Sequence, residues 1–69
     1  MTFEPSADVL VAAFGRYQAG DAAAALAMLE GSRGHWAARP DGWTLYGVLL
    51  KGAGRLPEAE AAYLAAVRL

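Results

Sequence analysis

The residues able to do chemistry in this chain are few and scattered. His35 is the single histidine, and with Arg33, Trp36 and Arg39 it forms a basic-aromatic cluster that could stack on a nucleobase or hold an anion. Four residues are too few for that task, and a tryptophan packed over a helix junction with solvated arginines accounts for them more simply. There is no cysteine and no second histidine to accompany His35, so no metal site is expected. Lys51-Gly52-Ala53-Gly54-Arg55 superficially suggests a phosphate loop. It lacks the G-x4-G-K-[ST] order and no strand precedes it, so an inter-helix turn is expected instead. The Asp and Glu residues fall at helix caps and solvent faces, without a close pair for acid–base work. No serine or lysine nucleophile is expected to be activated by a paired base. The expectation is a non-catalytic chain without cofactors.

Composition narrows the classes further. At 69 residues the chain is one domain, near the size at which a single core only marginally offsets chain entropy. Its hydrophobic fraction of 57% is high, but about a quarter of the residues are alanine, which favours close-packed helices over a bulky core. A net charge of -1 offers no field for nucleic acid or an anionic membrane, so neither is an expected partner. The segment from Met1 to Asp8 lacks the basic start and apolar run of a signal peptide, which makes the cytoplasm the expected location. No stretch approaches the ~18 consecutive apolar residues of a membrane-spanning helix. The alanine- and arginine-rich usage points to a GC-rich bacterial source.

Four helices are read along the chain. Ser6 can cap a first helix from Ala7 or Asp8 to about Gln18, closed by Gly20 in the left-handed conformation. Asp21 can cap a second over Ala22 to Glu30, with Leu26, Leu29 and Ala25 on one face, and Gly31-Ser32-Arg33-Gly34 reads as a break. After Arg39-Pro40, Asp41 can cap a third helix from Gly42 or Trp43 to about Gly52, with Trp43, Tyr46, Gly47 and Leu50 on one stripe. A glycine inside a helix costs about 1 kcal/mol relative to alanine, so Gly47 implies close approach of a neighbour. Pro57 suits the first turn of a fourth helix running to the C-terminus, whose inward face is Ala59, Tyr63, Ala66 and Val67.

These elements repeat. A step of 34 residues carries Ala19 onto Ala53, Gly20 onto Gly54, Ala25 onto Ala59 and Ala27 onto Ala61. The second copy reads W-x3-G-x6-G-x4-A-x3-Y-x2-A, from Trp43 through Gly47, Gly54, Ala59 and Tyr63 to Ala66. This resembles the tetratricopeptide repeat, a helix–turn–helix unit of about 34 residues that stacks into solenoids. Tyr46 and Leu50 stand where that family usually has leucine and an aromatic, a swap that could conserve core volume. The first copy matches through Val9, Ala13, Gly20, Ala25 and Leu29. The resemblance implies an all-α fold of two antiparallel hairpins, four helices in all, stacked as a short α-solenoid. One unit spans about residues 7–40 and the next about 41–69.

The resemblance also implies a function, since in such stacks the first helix of each unit lines a concave groove that holds a partner's peptide or helix. Carried onto this chain, the groove positions are Ala7, Leu10, Phe14, Tyr17 and Gln18, then Asp41, Thr44, Val48, Lys51 and Gly52. The best candidates for binding are Leu10, Phe14, Tyr17, Thr44, Val48 and Lys51. With Lys51 as its one basic residue, such a groove suits an apolar or helical ligand better than a C-terminal carboxylate; equally, Leu10 and Phe14 could be core residues. The expected partner is another protein or peptide. Two units are fewer than the three or so usually needed for stability. Three arrangements answer this: a segment of a longer protein, self-association into a homo-oligomer, or sufficiently polar outer faces, of which the first two are favoured. The alternatives to a peptide-binding module are therefore an oligomerisation unit and a substrate-recruiting accessory domain of a larger bacterial transferase.

Overall fold

The computed structural model describes residues 5–69, and side chains from Asp8 onward. The expected cap at Ser6 and groove position Ala7 concern side chains outside the described residues, as does the segment 1–4. The described chain is all helical: α1 (Pro5–Gln18), α2 (Ala22–Gly31), α3 (Arg33–Trp36), α4 (Pro40–Gly52) and α5 (Leu56–Arg68). Five helices replace the four expected.

The turns that join α1 to α2 and α4 to α5 are copies of each other. Gly20 and Gly54 have φ of +88° and +80°, the left-handed region that costs an L side chain strain and glycine none. The N–H of Gly20 donates to the Tyr17 carbonyl at 3.1 Å and that of Gly54 to the Lys51 carbonyl at 3.0 Å. One residue on, Asp21 donates to Arg16 and Arg55 to Leu50, both at 2.9 Å. These bonds satisfy carbonyls that helix ends otherwise leave unpaired. Each turn folds its two helices against each other, α1 on α2 and α4 on α5.

Helix starts follow local chemistry, with two corrections: α1 begins at Pro5 rather than at Ala7 or Asp8, proline suiting the first helical position, and α4 also begins early. Asp21 caps α2 as expected, its Oδ1 accepting from Ala24 N–H at 3.1 Å. The cap of α4 is Arg39 rather than Asp41, and the helix begins earlier than expected, at Pro40. Proline presets φ at the first helical position and has no amide proton to lose there, while it holds Arg39 extended at φ -113°, ψ 128°. Asp41 falls inside the first turn, where its Oδ1 accepts from Gly42 N–H at 3.0 Å.

The extra helix arises from Trp36. The segment read as a break is broken only at Ser32, whose Oγ donates back to the Met28 carbonyl at 2.7 Å. Arg33–Trp36 then coil into one turn that carries the indole inward, where it is 0% exposed and its N–H donates to the Leu29 carbonyl at 2.9 Å. A buried indole needs that acceptor, and Leu29, seven residues back, can supply it only if the chain turns here. The ring packs on Gly42, whose missing Cβ would stand 2.9 Å from Trp36 Cε3.

Around Trp36 the core gathers Leu26 and Leu29 from α2, Leu10 and Ala13 from α1, and Tyr46, Leu49 and Leu50 from α4. Ala59 and Ala62 of α5 complete it. Gly47 marks a close approach as expected, since a Cβ there would lie 2.7 Å from the Tyr63 ring. The inward face of α5 differs from expectation. Val67 is 82% exposed, and Ala62, three residues after Ala59, is buried instead. Tyr63 and Ala66 are half-buried.

Because Trp36 is the largest fully buried side chain, its truncation should be the most damaging single change. Trp36→Ala is expected to cost ~3–5 kcal/mol. A chain of this length has roughly 3–10 kcal/mol in total. Thermal and urea melts followed by circular dichroism should show the cooperative transition greatly lowered or lost.

Candidate functional site

The two helices that open the two copies, α1 and α4, run beside a concavity of about 700 Å³. Leu10, Val11, Phe14 and Tyr17 line it from α1, and Asp41, Thr44, Leu45 and Val48 from α4. Each set recurs at helical spacing, so each helix turns one stripe toward the opening. Phe14 and Tyr17 lie with ring centroids 6.2 Å apart and are 46% and 40% exposed, a large aromatic surface turned to solvent.

The Thr44 hydroxyl and the Asp41 carboxylate in the lining are bonded within the chain, and Tyr17 is part-exposed. Thr44 Oγ1 donates to the Pro40 carbonyl at 2.9 Å. Asp41 takes a two-pronged contact from Arg39, Nε to Oδ1 at 3.1 Å and Nη2 to Oδ2 at 2.9 Å. The concavity therefore offers apolar surface with little unsatisfied polarity to read a polar ligand.

Five of the six sequence-derived binding candidates, Leu10, Phe14, Tyr17, Thr44 and Val48, meet in this concavity. Leu10 is also a core residue at 8% exposure, whereas Phe14 is not, so the choice between groove and core divides between them. Lys51 is exposed and lies one turn past the last lining residue of α4, outside the lining, as does Gln18 of α1. Gly52 lines a separate crevice between α2 and α4, with Leu26, Ala27, Glu30 and Leu49. Sequence reasoning missed Val11 and Leu45. They stand 34 residues apart at equivalent places in the two copies, and following the repeat through apolar positions would have found both.

The basic-aromatic cluster takes a different form. Trp36, Trp43 and Tyr46 pack ring against ring with centroids 5.0–6.0 Å apart, in tilted or edge-on geometry. The Arg33 guanidinium lies 5.2–5.9 Å from all three ring centroids, and its Nη2 donates to the Tyr46 hydroxyl at 3.0 Å. That hydroxyl donates in turn to Glu30 Oε2 at 3.2 Å, which Arg55 also contacts at 3.2 Å. Arg55 closes the chain on Glu58 at 2.6 and 3.0 Å. Arg33 is thus held on aromatic faces rather than simply solvated, and Trp36 has no face left for a base. This strap joins the end of α2 to α3, α4 and the start of α5.

The remaining chemical candidates resolve into structure. Lys51 and Gly52 end α4, and the N–H groups of Ala53, Gly54 and Arg55 all donate to carbonyls of Leu49, Leu50 or Lys51, so none is free to cradle a phosphate. Among the described residues no group of three or more His, Asp or Glu side chains could hold a metal ion, and no helix is long and apolar enough to cross a membrane. No family model, curated protein or solved structure matches the chain.

The hydrogen bonds from Arg55 hold the Glu58 carboxyl below its usual range, and the same pair pushes the Arg55 guanidinium further up. A carboxyl whose folded-state pKa is depressed stabilises the fold above its unfolded value, and that contribution is lost as pH falls through the folded value. By carbon-detected NMR, Glu58 should titrate below the ~4.3 of a free glutamate, and Arg55→Ala should return it upward. A wild-type midpoint at the free value would contradict the bidentate pairing.

Proposed function

We propose that the chain is a non-catalytic protein-interaction module of the tetratricopeptide type. In this reading α1–α2 and α4–α5 are two antiparallel hairpins stacked as a short solenoid, and α3 is a linker turn between them. Three features support it: the 34-residue echo, the matching pair of left-handed glycine turns, and the close approach at Gly47. The cytoplasm fits its composition.

The observation that carries the functional reading is the aromatic-lined concavity between α1 and α4. Phe14, Tyr17, Leu45 and Val48 provide a mostly apolar surface, and the Asp41 carboxylate and Thr44 hydroxyl beside them are bonded within the chain. Burying a partner's polar group there without a hydrogen bond would cost ~1–3 kcal/mol, so the lining selects against polar ligands. The occupant is a peptide segment of another protein that presents large apolar side chains at helical or alternate spacing. Affinity would come from removing apolar surface from water on both sides, at about 25 cal/mol per Å² before ordering costs.

Selection from a random peptide library on immobilised protein should enrich segments bearing Leu, Phe, Ile or Trp. Phe14→Arg and Val48→Arg should each weaken the selected peptides by at least about tenfold, because each puts an unpaired charge in the contact. Lys51→Ala, outside the lining, should leave affinity unchanged. Binding that survives both arginine substitutions, with helicity intact by circular dichroism, would eliminate the groove.

A further inference from the structure

The junction between the two helix pairs exists once within the chain, and its two sides recur at the two ends. In the internal junction, Leu26, Ala27 and Glu30 of α2 flank a crevice with Leu49 and Gly52 of α4, and Leu50 lies buried in the same core. The 34-residue step carries Leu26, Ala27 and Glu30 onto Glu60, Ala61 and Leu64 of α5. The reverse step carries Leu49, Leu50 and Gly52 onto Gly15, Arg16 and Gln18 of α1. All six of these equivalents are exposed. The same step takes Arg33, which covers Trp43 and Tyr46, onto Val67, and takes Trp43 and Tyr46 back onto Val9 and Ala12. Val67 is 82% exposed and Leu64 49%, so the α5 end carries bare apolar side chains at the positions that face a neighbour inside the chain.

Charge makes the two end faces complementary to each other and not to themselves. Arg16 stands in the place of Leu50 and Glu60 in the place of Leu26, so opposite charges occupy positions that two leucines of one buried core fill within the chain. We propose that the partner of these faces is a second copy of this chain, docked head to tail so that α5 of one copy meets α1 of the next in the arrangement that α2 and α4 adopt within each. A contact of two α5 faces would hold two Glu60 carboxylates and no Arg16, and one of two α1 faces two Arg16 guanidiniums and no Glu60, so a symmetric dimer lacks this opposite-charge pairing. A head-to-tail contact is heterologous and leaves a free face at each end, so assembly continues past the dimer. It would also align Leu45 and Val48 of one copy beside Leu10 and Val11 of the next.

Sedimentation equilibrium of the whole chain should show a mass that rises with concentration without levelling at the dimer. Arg16→Glu alone and Glu60→Arg alone should each weaken association by at least about tenfold, because each sets like charges across the contact. An equimolar mixture of the two variants should reassemble, because each then meets the opposite charge, and so should the double variant. Circular dichroism checks that helicity is unchanged, as expected for exposed positions. A mass fixed at monomer, a plateau at dimer, single variants that assemble like the wild type, or a mixture that fails to recover would each overturn the proposal.

Discussion

The structure depends on one bond made by one buried ring: the indole N–H of Trp36 on the Leu29 carbonyl. Trp36 has no solvent exposure, and an indole so placed without an acceptor would leave a buried donor unsatisfied. Meeting that requirement coils residues 33–36 into α3 and brings the chain back over the end of α2. The ring then sets where α4 must lie, because Gly42 is the residue beneath it and Tyr46 and Trp43 pack its edges. With α4 placed, the rigid turn at Gly54 places α5. Arg33 and the Glu30–Arg55–Glu58 strap then cover the same junction from outside. These exposed ion pairs contribute little stability individually, and their geometric role is to hold the helix ends in register over the ring.

The two copies of the unit share turns and diverge on faces. Ala13 and Gly47 are both buried, as are Ala25 and Ala59, because each pair sits where its own two helices cross. By contrast Tyr46, Leu49 and Leu50 are buried while Ala12, Gly15 and Arg16 are exposed, since among the described residues α4 and not α1 has a helix pair on that side. The same logic buries Leu26 and leaves Glu60 in solvent. Side chains that agree between copies report packing within a hairpin. Those that disagree report which side of the chain has a neighbour.

This distinction explains what could be read from the residues alone. The turns were legible because left-handed glycine is a local requirement, and Asp21 because capping is a local bond. The approach at Gly47 was legible because an interior glycine has a known cost. Residues 33–36 were not, because Gly31, Ser32 and Gly34 make the segment poor helix, and the reason 33–36 coil is a tertiary bond to Leu29. The start of α4 was misplaced because Asp41 and Pro40 both signal a helix start, and the preset backbone of proline outweighs a side-chain cap. Val67 was assigned inward from spacing on α5, yet that face is set by where α4 lies, which spacing on one helix does not contain. In the groove, the carry-over from the repeat resemblance found Leu10, Phe14, Tyr17, Thr44 and Val48. It missed Val11 and Leu45, which border the opening only because α1 and α4 lie side by side.

A small domain that leaves Phe14 and Tyr17 half in solvent forgoes burial that it can hardly spare, and the core shows how this is tolerated. Nearly every small core residue is alanine or glycine at a helix crossing, so the helices approach closely and little volume needs filling. One tryptophan then supplies the bulk at the centre. With the core complete around Trp36, the aromatic pair on α1 is not needed for closure, and among the described residues nothing folds over it. An apolar surface that a core does not use is where a contact with another molecule gains most, since water is removed from both partners at once. The concavity between α1 and α4 is therefore better understood as a surface kept open by an economical core than as a defect in packing.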